Sequence, residues 1–170
     1  MTTPLEQAIT KSYKAGMIAY INTHPDDFDE LINLAISNKL PYSWRAAWLL
    51  WSCMDYNDLR LQKKVKTMID ILPKVSDNQQ RELLIILQRM DIDDEWEGKL
   101  FDIAMNIWEK IGKQASVRIN AFKVMVNIIK KHPELRNELM FLTEPYYLDT
   151  LSEGAKKSII TLIKTIVNKS

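Results

Sequence analysis

Three tryptophans at helical spacing form the densest candidate binding group in the sequence. Trp44, Trp48 and Trp51 are four and three residues apart, so on a helix they share one face. Such a face can stack on nucleobases or receive an apolar side chain of a partner. It can also pack between helices, because large aromatic side chains are mostly buried. Trp48 and Trp51 align, at an interval of 36, with Leu84 and Leu87. We therefore expect these two in the core and Trp44 partly exposed.

Three arginines recur at nearly the same interval. Arg45, Arg81 and Arg118 are 36 and 37 residues apart. A row of guanidinium groups could bind phosphates or carboxylates bidentately. The same groups also suit pairing with acceptors in an adjacent structural repeat. We favour this structural role.

An acidic run at residues 91–97 carries five carboxylates in seven positions, which raises the question of calcium binding. An EF-hand loop needs glycine at its sixth position and glutamate at its twelfth. Counted from Asp91, Gly98 is eighth and Asp102 is twelfth. The spacing therefore fails, and we expect the run to cap a helix and to be solvated.

The other reactive side chains form no recognisable catalytic or metal-binding pattern. His24 and His132 are the only histidines, and each precedes a proline. No serine, cysteine or carboxylate has a histidine partner at a recognisable spacing, and no phosphate-binding or dinucleotide-binding fingerprint occurs. We predict no catalytic residue, no cofactor site and no metal site. Cys53 is the only cysteine, so no intrachain disulfide can form, which fits a reducing compartment.

The elements that must position these residues repeat about every 36 residues. Apolar residues recur at intervals of 35 to 37 in four sets: Phe28, Val65 and Phe101; Leu31, Met68, Ala104 and Leu139; Ile32, Ile69, Met105 and Met140; Ala35, Leu72 and Trp108. Within each repeat the members are spaced i, i+3, i+4 and i+7, which indicates one helical stripe. A fixed period of this size is typical of stacked helical hairpins, an α-solenoid.

Prolines and capping residues divide the chain into nine predicted helices. Their approximate bounds are 4–23, 26–38, 44–54, 58–72, 79–90, 94–111, 116–132, 134–145 and 152–168. No strand-like alternation and no low-complexity linker occurs. We predict a single all-α domain over residues 1–170, built as about four and a half hairpins in a right-handed α-α superhelix. The ninth helix caps the stack.

Two short motifs carry a family resemblance. Val117-Arg-Ile-Asn-Ala121 and Trp44-Arg-Ala-Ala-Trp48 resemble the Val-Arg-x-x-Ala core of HEAT repeats, so the chain resembles the HEAT-like, armadillo-type proteins. Residues 43–50 are also similar to a stretch in short bacterial HEAT-like proteins of unknown function, some of which carry the label adenylosuccinate lyase. Such lyases need a histidine acid and a serine base on a Gly/Ser-rich loop. This chain has no matching loop, and we do not expect the activity.

The resemblance implies that the second helix of each hairpin lines a concave surface. Stepping by the repeat gives outward-facing rows that are basic in the middle, namely Asp26, Lys63, Lys99 and Glu134, and Ser37, Lys74, Lys110 and Pro145. A groove that follows nucleic-acid phosphates should be basic along its length. The pattern fits better an acidic or mixed-charge protein segment. A solvated face without a ligand is the other interpretation.

We therefore predict a non-catalytic adaptor that binds a protein or peptide and needs no cofactor. The predicted contacts are Lys63, Lys74, Lys99, Lys110 and Trp44. The alternative is a nucleic-acid-binding protein, similar to HEAT-like DNA glycosylases, that would use Trp44 and the three arginines. Weak self-association through an exposed end of the stack is a further alternative.

Composition favours a cytoplasmic protein without membrane or nucleic-acid affinity. The formal net charge is +1, with 46% apolar and 26% charged residues, so no global field attracts anionic partners. The N-terminus lacks the basic and apolar stretches of a signal peptide. The longest aliphatic run, at residues 83–87, is far shorter than the roughly 20 residues that span a bilayer.

Overall fold

A computed structural model describes residues 1–167, and every regular element in that range is helical. The helices are α1 (Pro4–Lys11), α2 (Lys14–Thr23), α3 (Phe28–Ala35), α4 (Tyr42–Cys53), α5 (Val65–Ile71), α6 (Asp77–Gln88), α7 (Asp94–Glu109), α8 (Ala115–Lys131), α9 (Arg136–Phe141), α10 (Pro145–Leu148) and α11 (Glu153–Val167). Short 3₁₀ turns lie at Pro25–Asp27, Gln62–Lys64, Leu72–Lys74 and Pro133–Leu135. None of the described helices is long and apolar enough to cross a membrane.

The helices form two compact units. Unit 1 is Met1–Ile92, and unit 2 begins at Asp93. In unit 1, α4 is the central helix and packs against α1, α2, α3 and α6. In unit 2, α8 packs against α7 and α11. The predicted all-α class is confirmed.

The predicted first helix, 4–23, is two helices. Ser12, which ends α1, and Tyr13, which precedes α2, both have extended backbone angles. A Cβ atom added at Gly16 would lie 3.0 Å from the Cβ of Ser12. Glycine therefore allows the chain to fold tightly at this point. The prediction relied on proline and capping signals and missed this turn.

The predicted fourth helix, 58–72, begins later than expected. The Asp58 carboxylate accepts hydrogen bonds from the backbone N–H groups of Asp55 and Arg60, both at 3.1 Å. These bonds hold a turn where the first helical turn was expected. Regular α-helix starts only at Val65.

The predicted eighth helix, 134–145, corresponds to α9, which ends at Phe141, and the helical structure breaks before Pro145 as the proline signal predicted. The short α10 then has Pro145 as its first residue, a position that suits proline. Residue 168, at the end of the predicted ninth helix, lies outside the described residues.

The repeating apolar stripe lies in the core. All members of the four sets are buried except Met105, which is half-buried, and Met140, which is 41% exposed. In α9 only Leu139 is buried, so this short helix covers one position rather than a full stripe. A buried Leu, Ile or Phe side chain contributes about 1.5–3 kcal/mol relative to an exposed one. The periodic spacing therefore identified the residues that hold the helices together.

Two of the three periodic arginines have the structural role that we favoured. In unit 1, Arg45 Nε donates to the Ile9 carbonyl at 2.7 Å. In unit 2, the Arg118 side chain is buried. Its Nε donates to the Trp108 carbonyl at 2.8 Å, Nη1 to Thr150 Oγ1 at 2.8 Å, and Nη2 to the Tyr147 carbonyl at 3.3 Å. The prediction is wrong for Arg81, which pairs with its neighbour Glu82 on the same helix.

Replacement of Arg118 by alanine is expected to lower the free energy of unfolding by about 2–4 kcal/mol. The change leaves the Trp108 carbonyl, whose bond to Arg118 is buried, without a partner and opens a cavity. Arg45→Ala removes one bond of a half-buried side chain and should cost only about 1 kcal/mol. Urea denaturation followed by circular dichroism measures both values. Arg118→Met, which restores volume but not the bonds, should fall between them. Equal losses for the two alanine variants would contradict the assigned role of Arg118.

Candidate functional site

The four lysines predicted as partner contacts are all exposed. In unit 1, Lys63 and Lys74 lie in the 3₁₀ turns on either side of α5. In unit 2, Lys99 lies in α7 and Lys110 is its C-terminal capping residue. Each pair is separated by eleven residues, close to three helical turns. No described interaction tests whether these lysines bind a partner.

Lys63 borders a cleft of about 410 Å³ in unit 1, which we call the α3 cleft. Its lining residues are Asp29, Ile32, Asn33, Leu59, Arg60, Lys63 and Lys64. Lys74 is not among them. Three cations and one carboxylate therefore border the α3 cleft, together with Leu59, which is 80% exposed.

Arg60 is fixed at this cleft by two contacts. Its guanidinium donates to both oxygens of Asp58, at 2.9 and 2.6 Å, and lies 3.5 Å from the ring centroid of Phe28. The hydrogen bond from Arg60 lowers the pKa of Asp58 to about 2. The charge of Arg60 is therefore neutralised by Asp58, and Lys63 and Lys64 supply the net positive charge of the α3 cleft.

A second cleft of about 470 Å³, the α4 cleft, lies among α1, α2, α4 and α6 in unit 1. Its lining residues are Thr10, Lys11, Ser12, Tyr13, Lys14, Met17, Trp44, Arg45, Trp48, Arg81 and Glu82. Trp44 and the two arginines were predicted from the sequence as candidate binding residues, whereas Lys11, Tyr13 and Lys14 were not. A signal for those three would have been the break between α1 and α2, since that turn brings them to the cleft.

The tryptophans of α4 do not all pack as expected. Trp44 is half-buried, as predicted, but Trp48 and Trp51 are also half-buried rather than in the core. The inward face of α4 is filled instead by residues such as Ala46 and Leu50, both fully buried. The tryptophans therefore lie on the flanks of α4, where Trp51 Nε1 donates to Glu82 Oε2 at 2.5 Å.

Cations lie over all three of these rings, and the Arg89 guanidinium is 5.2 Å from the ring centroid of Trp51. Lys14 Nζ is 5.0 Å from the ring centroid of Trp48, and the Arg45 guanidinium is 5.6 Å from that of Trp44. Arg118 is buried in unit 2. Of the three arginines in the nucleic-acid alternative, only Arg45 and Arg81 border this cleft with Trp44.

In unit 2, a potential metal-binding cluster is formed by Asp94, Glu97 and His132, whose candidate ligand atoms lie within 4.8 Å of one another. Glu97 is buried. It accepts hydrogen bonds from Lys131 Nζ at 2.7 Å on Oε1 and from His132 Nε2 on Oε2. Both oxygens of Glu97 are thus already paired with cationic groups, and an ammonium ion this close repels a metal cation. The cluster is accounted for as an ion-pair network.

Glu97 corrects our interpretation of the acidic run. We expected a capping and solvated role for all five carboxylates, but Glu97 is only 3% exposed. Burial acts to raise the pKa of Glu97, and the hydrogen bonds from Lys131 and His132 outweigh it, so the pKa lies below its usual value. The hydrogen bond from Glu97 in turn raises the pKa of His132. The network therefore favours charged forms of both side chains.

Cys53 does not resemble an activated nucleophile. Its side chain is half-buried, and burial raises the pKa of the thiol. The thiol form is therefore favoured at neutral pH, whereas the thiolate is the nucleophilic form.

The Glu97–His132 pair predicts a specific pH dependence of stability. A raised histidine pKa stabilises the fold below the unfolded-state pKa, and this contribution is lost as pH rises through the folded-state pKa. Wild-type protein should therefore lose stability relative to His132→Gln as pH rises above about 6.5, the ordinary pKa of histidine. The lowered pKa of Glu97 stabilises the fold above the unfolded-state pKa of this group, and that stabilisation is lost in acid. The stability of Glu97→Gln should therefore approach that of wild type at acidic pH. Urea midpoints measured across pH test both. Parallel curves for His132→Gln and wild type would refute the coupling.

Comparison with known proteins agrees with the helical repeats. A family model described as the HEAT repeat domain matches residues 1–169. No match was found among curated proteins, and none among solved structures. The likeness to proteins labelled adenylosuccinate lyase therefore stays a prediction. Because the HEAT repeat model covers nearly the whole chain, this chain belongs to the HEAT repeat domain family.

Proposed function

We propose that this HEAT repeat protein is a non-catalytic scaffold that binds an acidic protein or peptide segment through its second helices, α3, α5, α7 and α9. HEAT repeats commonly mediate protein interactions, and stacked repeats provide extended binding surfaces. The observation that carries the proposal is the α3 cleft, where Lys63 and Lys64 lie beside a single carboxylate, that of Asp29.

The α3 cleft has features that suit an acidic segment with an apolar side chain. Lys63 is exposed. Arg60 lines the cleft with a side chain that its hydrogen bonds to Asp58 hold in place. Leu59, 80% exposed, offers an apolar contact. Interfaces commonly combine such an apolar contact with a polar rim. Positive charge at the rim speeds the encounter with an acidic partner.

In this proposal residues 1–170 act as one domain in the cytoplasm, and each unit presents two of the predicted contact lysines. In unit 2 these are Lys99 of α7 and Lys110 at its C-terminal end. Trp44 belongs to the α4 cleft, so it would take part through a different surface from Lys63.

Charge reversal of Lys63 and Lys99 tests this proposal. Lys63→Glu with Lys99→Glu should weaken binding of a fluorescein-labelled peptide of mixed glutamate and leucine by about tenfold or more, since like charges then face the ligand. Fluorescence anisotropy at fixed salt gives the dissociation constants. Circular dichroism establishes that the variant is folded.

The matched control is Lys157→Glu with Lys164→Glu, which makes the same change of net charge on exposed positions of α11. It should bind like wild type. Equal losses in both double variants would indicate a non-specific effect of net charge. Retained binding in Lys63→Glu with Lys99→Glu would exclude the lysine row as the site.

Affinity capture of partners from lysate, run with and without nuclease, tests the nucleic-acid alternative. Loss of the captured proteins on nuclease treatment would favour that alternative.

A further inference from the structure

We propose that the α4 cleft of unit 1 binds a phosphate monoester. This site is formed by α1, α2, α4 and α6, not by the second helices that carry the proposed scaffold function, and it does not rest on that function. The α4 cleft has three properties that such a ligand requires: uncompensated positive charge, donors held in place, and a volume suited to a small organic group.

The positive charge of the α4 cleft is only partly neutralised. Glu82 is its one lining carboxylate. Glu82 Oε1 accepts from Arg81 Nε at 3.0 Å and Nη2 at 2.9 Å, while Oε2 accepts from Trp51 Nε1 at 2.5 Å. Arg81 and Glu82 therefore neutralise each other.

Three cations at this cleft keep their full charge. Among the described residues, Lys11, Lys14 and Arg45 have no carboxylate within ion-pair distance. All three line the same cleft of about 470 Å³. Like charges gathered around one cavity raise the local concentration of anions there.

Two of these donors are held in position without losing charge. Arg45 Nε donates to the Ile9 carbonyl at 2.7 Å, and its guanidinium lies over Trp44 at 5.6 Å. The two terminal nitrogens of Arg45 therefore stay available for bidentate binding of an oxyanion. Lys14 Nζ is placed over Trp48 at 5.0 Å by a cation–π contact.

The distribution of charge favours a monoester over a nucleic-acid backbone. A phosphate monoester carries close to two negative charges at neutral pH and three strong acceptor oxygens, which match three cations around one cavity. A nucleic acid instead presents a line of single charges, and its binding sites are grooves that follow the backbone. The cleft volume is within the roughly 300–1,000 Å³ typical of small-molecule sites. The cleft can thus also hold part of the group that carries the phosphate, against the tryptophan rings.

The monoester could belong to a small metabolite or to a phosphorylated side chain, and titration calorimetry with defined probes separates the two. The probes are phenyl phosphate, a phosphoserine peptide, inorganic phosphate and a single-stranded oligodeoxynucleotide. We expect phenyl phosphate or the phosphopeptide to bind and their unphosphorylated counterparts, phenol and the serine peptide, not to bind. The tighter of the two binders identifies the source. The indole N–H resonances of Trp44 and Trp48 should shift on titration.

Substitutions then assign the binding to the α4 cleft. Arg45→Ala should weaken monoester binding at least tenfold, and Lys14→Ala several-fold. Arg45→Lys, which keeps the charge but not the fork of donors, should lie between wild type and Arg45→Ala. Lys157→Ala, which removes an exposed lysine of α11, is the matched control and should bind like wild type. If Arg45→Ala does not fold, Lys14→Ala and Arg45→Lys carry the test.

Failure of every monoester probe to bind at millimolar concentration would overturn the proposal. So would equal weakening by Lys157→Ala and Arg45→Ala, or tighter binding of the oligodeoxynucleotide than of any monoester. Because the scaffold function is tested at Lys63 and Lys99 with an unphosphorylated acidic peptide, failure of one proposal is distinguishable from failure of the other.

Discussion

The short second helices of this protein depend on the burial of one apolar stripe. Helices α3, α5 and α9 have eight, seven and six residues. Isolated helices shorter than about 12–15 residues are marginal in water. These helices therefore form because the residues at spacing i, i+3, i+4 and i+7 are covered by neighbours. Where only one stripe residue is buried, as in α9, the helix is the shortest of the three. The same constraint leaves the outward face of a second helix to charged residues, which is why Lys99 of α7 is exposed.

Short helices also expose many terminal carbonyls, and long polar side chains pair with them. The first and last turns of every helix lack internal partners. Gln79 Nε2 donates to the carbonyls of Ala35 and Ser37 at the end of α3, at 2.9 and 2.8 Å. Arg118 bonds the Trp108 carbonyl near the end of α7. Gln79 of α6 and Arg118 of α8 are both buried, and each ties its helix to the end of another helix of the same unit.

The repeating part of this architecture was predictable because it depends on one local rule. Every repeat must bury the same stripe, so equivalent positions carry apolar residues at a regular interval. Leu31, Met68 and Ala104 show this interval in the sequence. The boundary of a helix depends on local backbone chemistry instead. The turn at Ser12 and Tyr13 brings the backbone at Gly16 close to the Ser12 side chain, a contact that glycine accommodates best, and this turn is not part of the repeating stripe.

The candidate sites were less predictable because they combine residues outside the period. Lys11 and Lys14 reach the α4 cleft only through the turn between α1 and α2. Glu97 pairs with His132 because α7 and α8 pack side by side in unit 2. Trp48 aligned with core leucines, yet the small and aliphatic residues of α4 fill that part of the core. Sequence periodicity identifies residues with the same role in each repeat, and a site that occurs once gives no such signal.

An arginine side chain in this protein can bind an anion only if the group that holds it in place leaves its charge uncompensated. Arg60 is held by the Asp58 carboxylate, and Arg81 is held by the Glu82 carboxylate. Each carboxylate largely neutralises the charge of its arginine. Arg45 is held by the Ile9 carbonyl and the Trp44 ring, which orient the guanidinium and leave its charge uncompensated. At the α3 cleft the available charge therefore belongs to flexible lysines, which suit a ligand of variable shape. At the α4 cleft it includes a rigid fork of donors, which suits one compact oxyanion. The two clefts of unit 1 thus differ in chemistry although both are basic, and the difference follows from how each arginine is fixed.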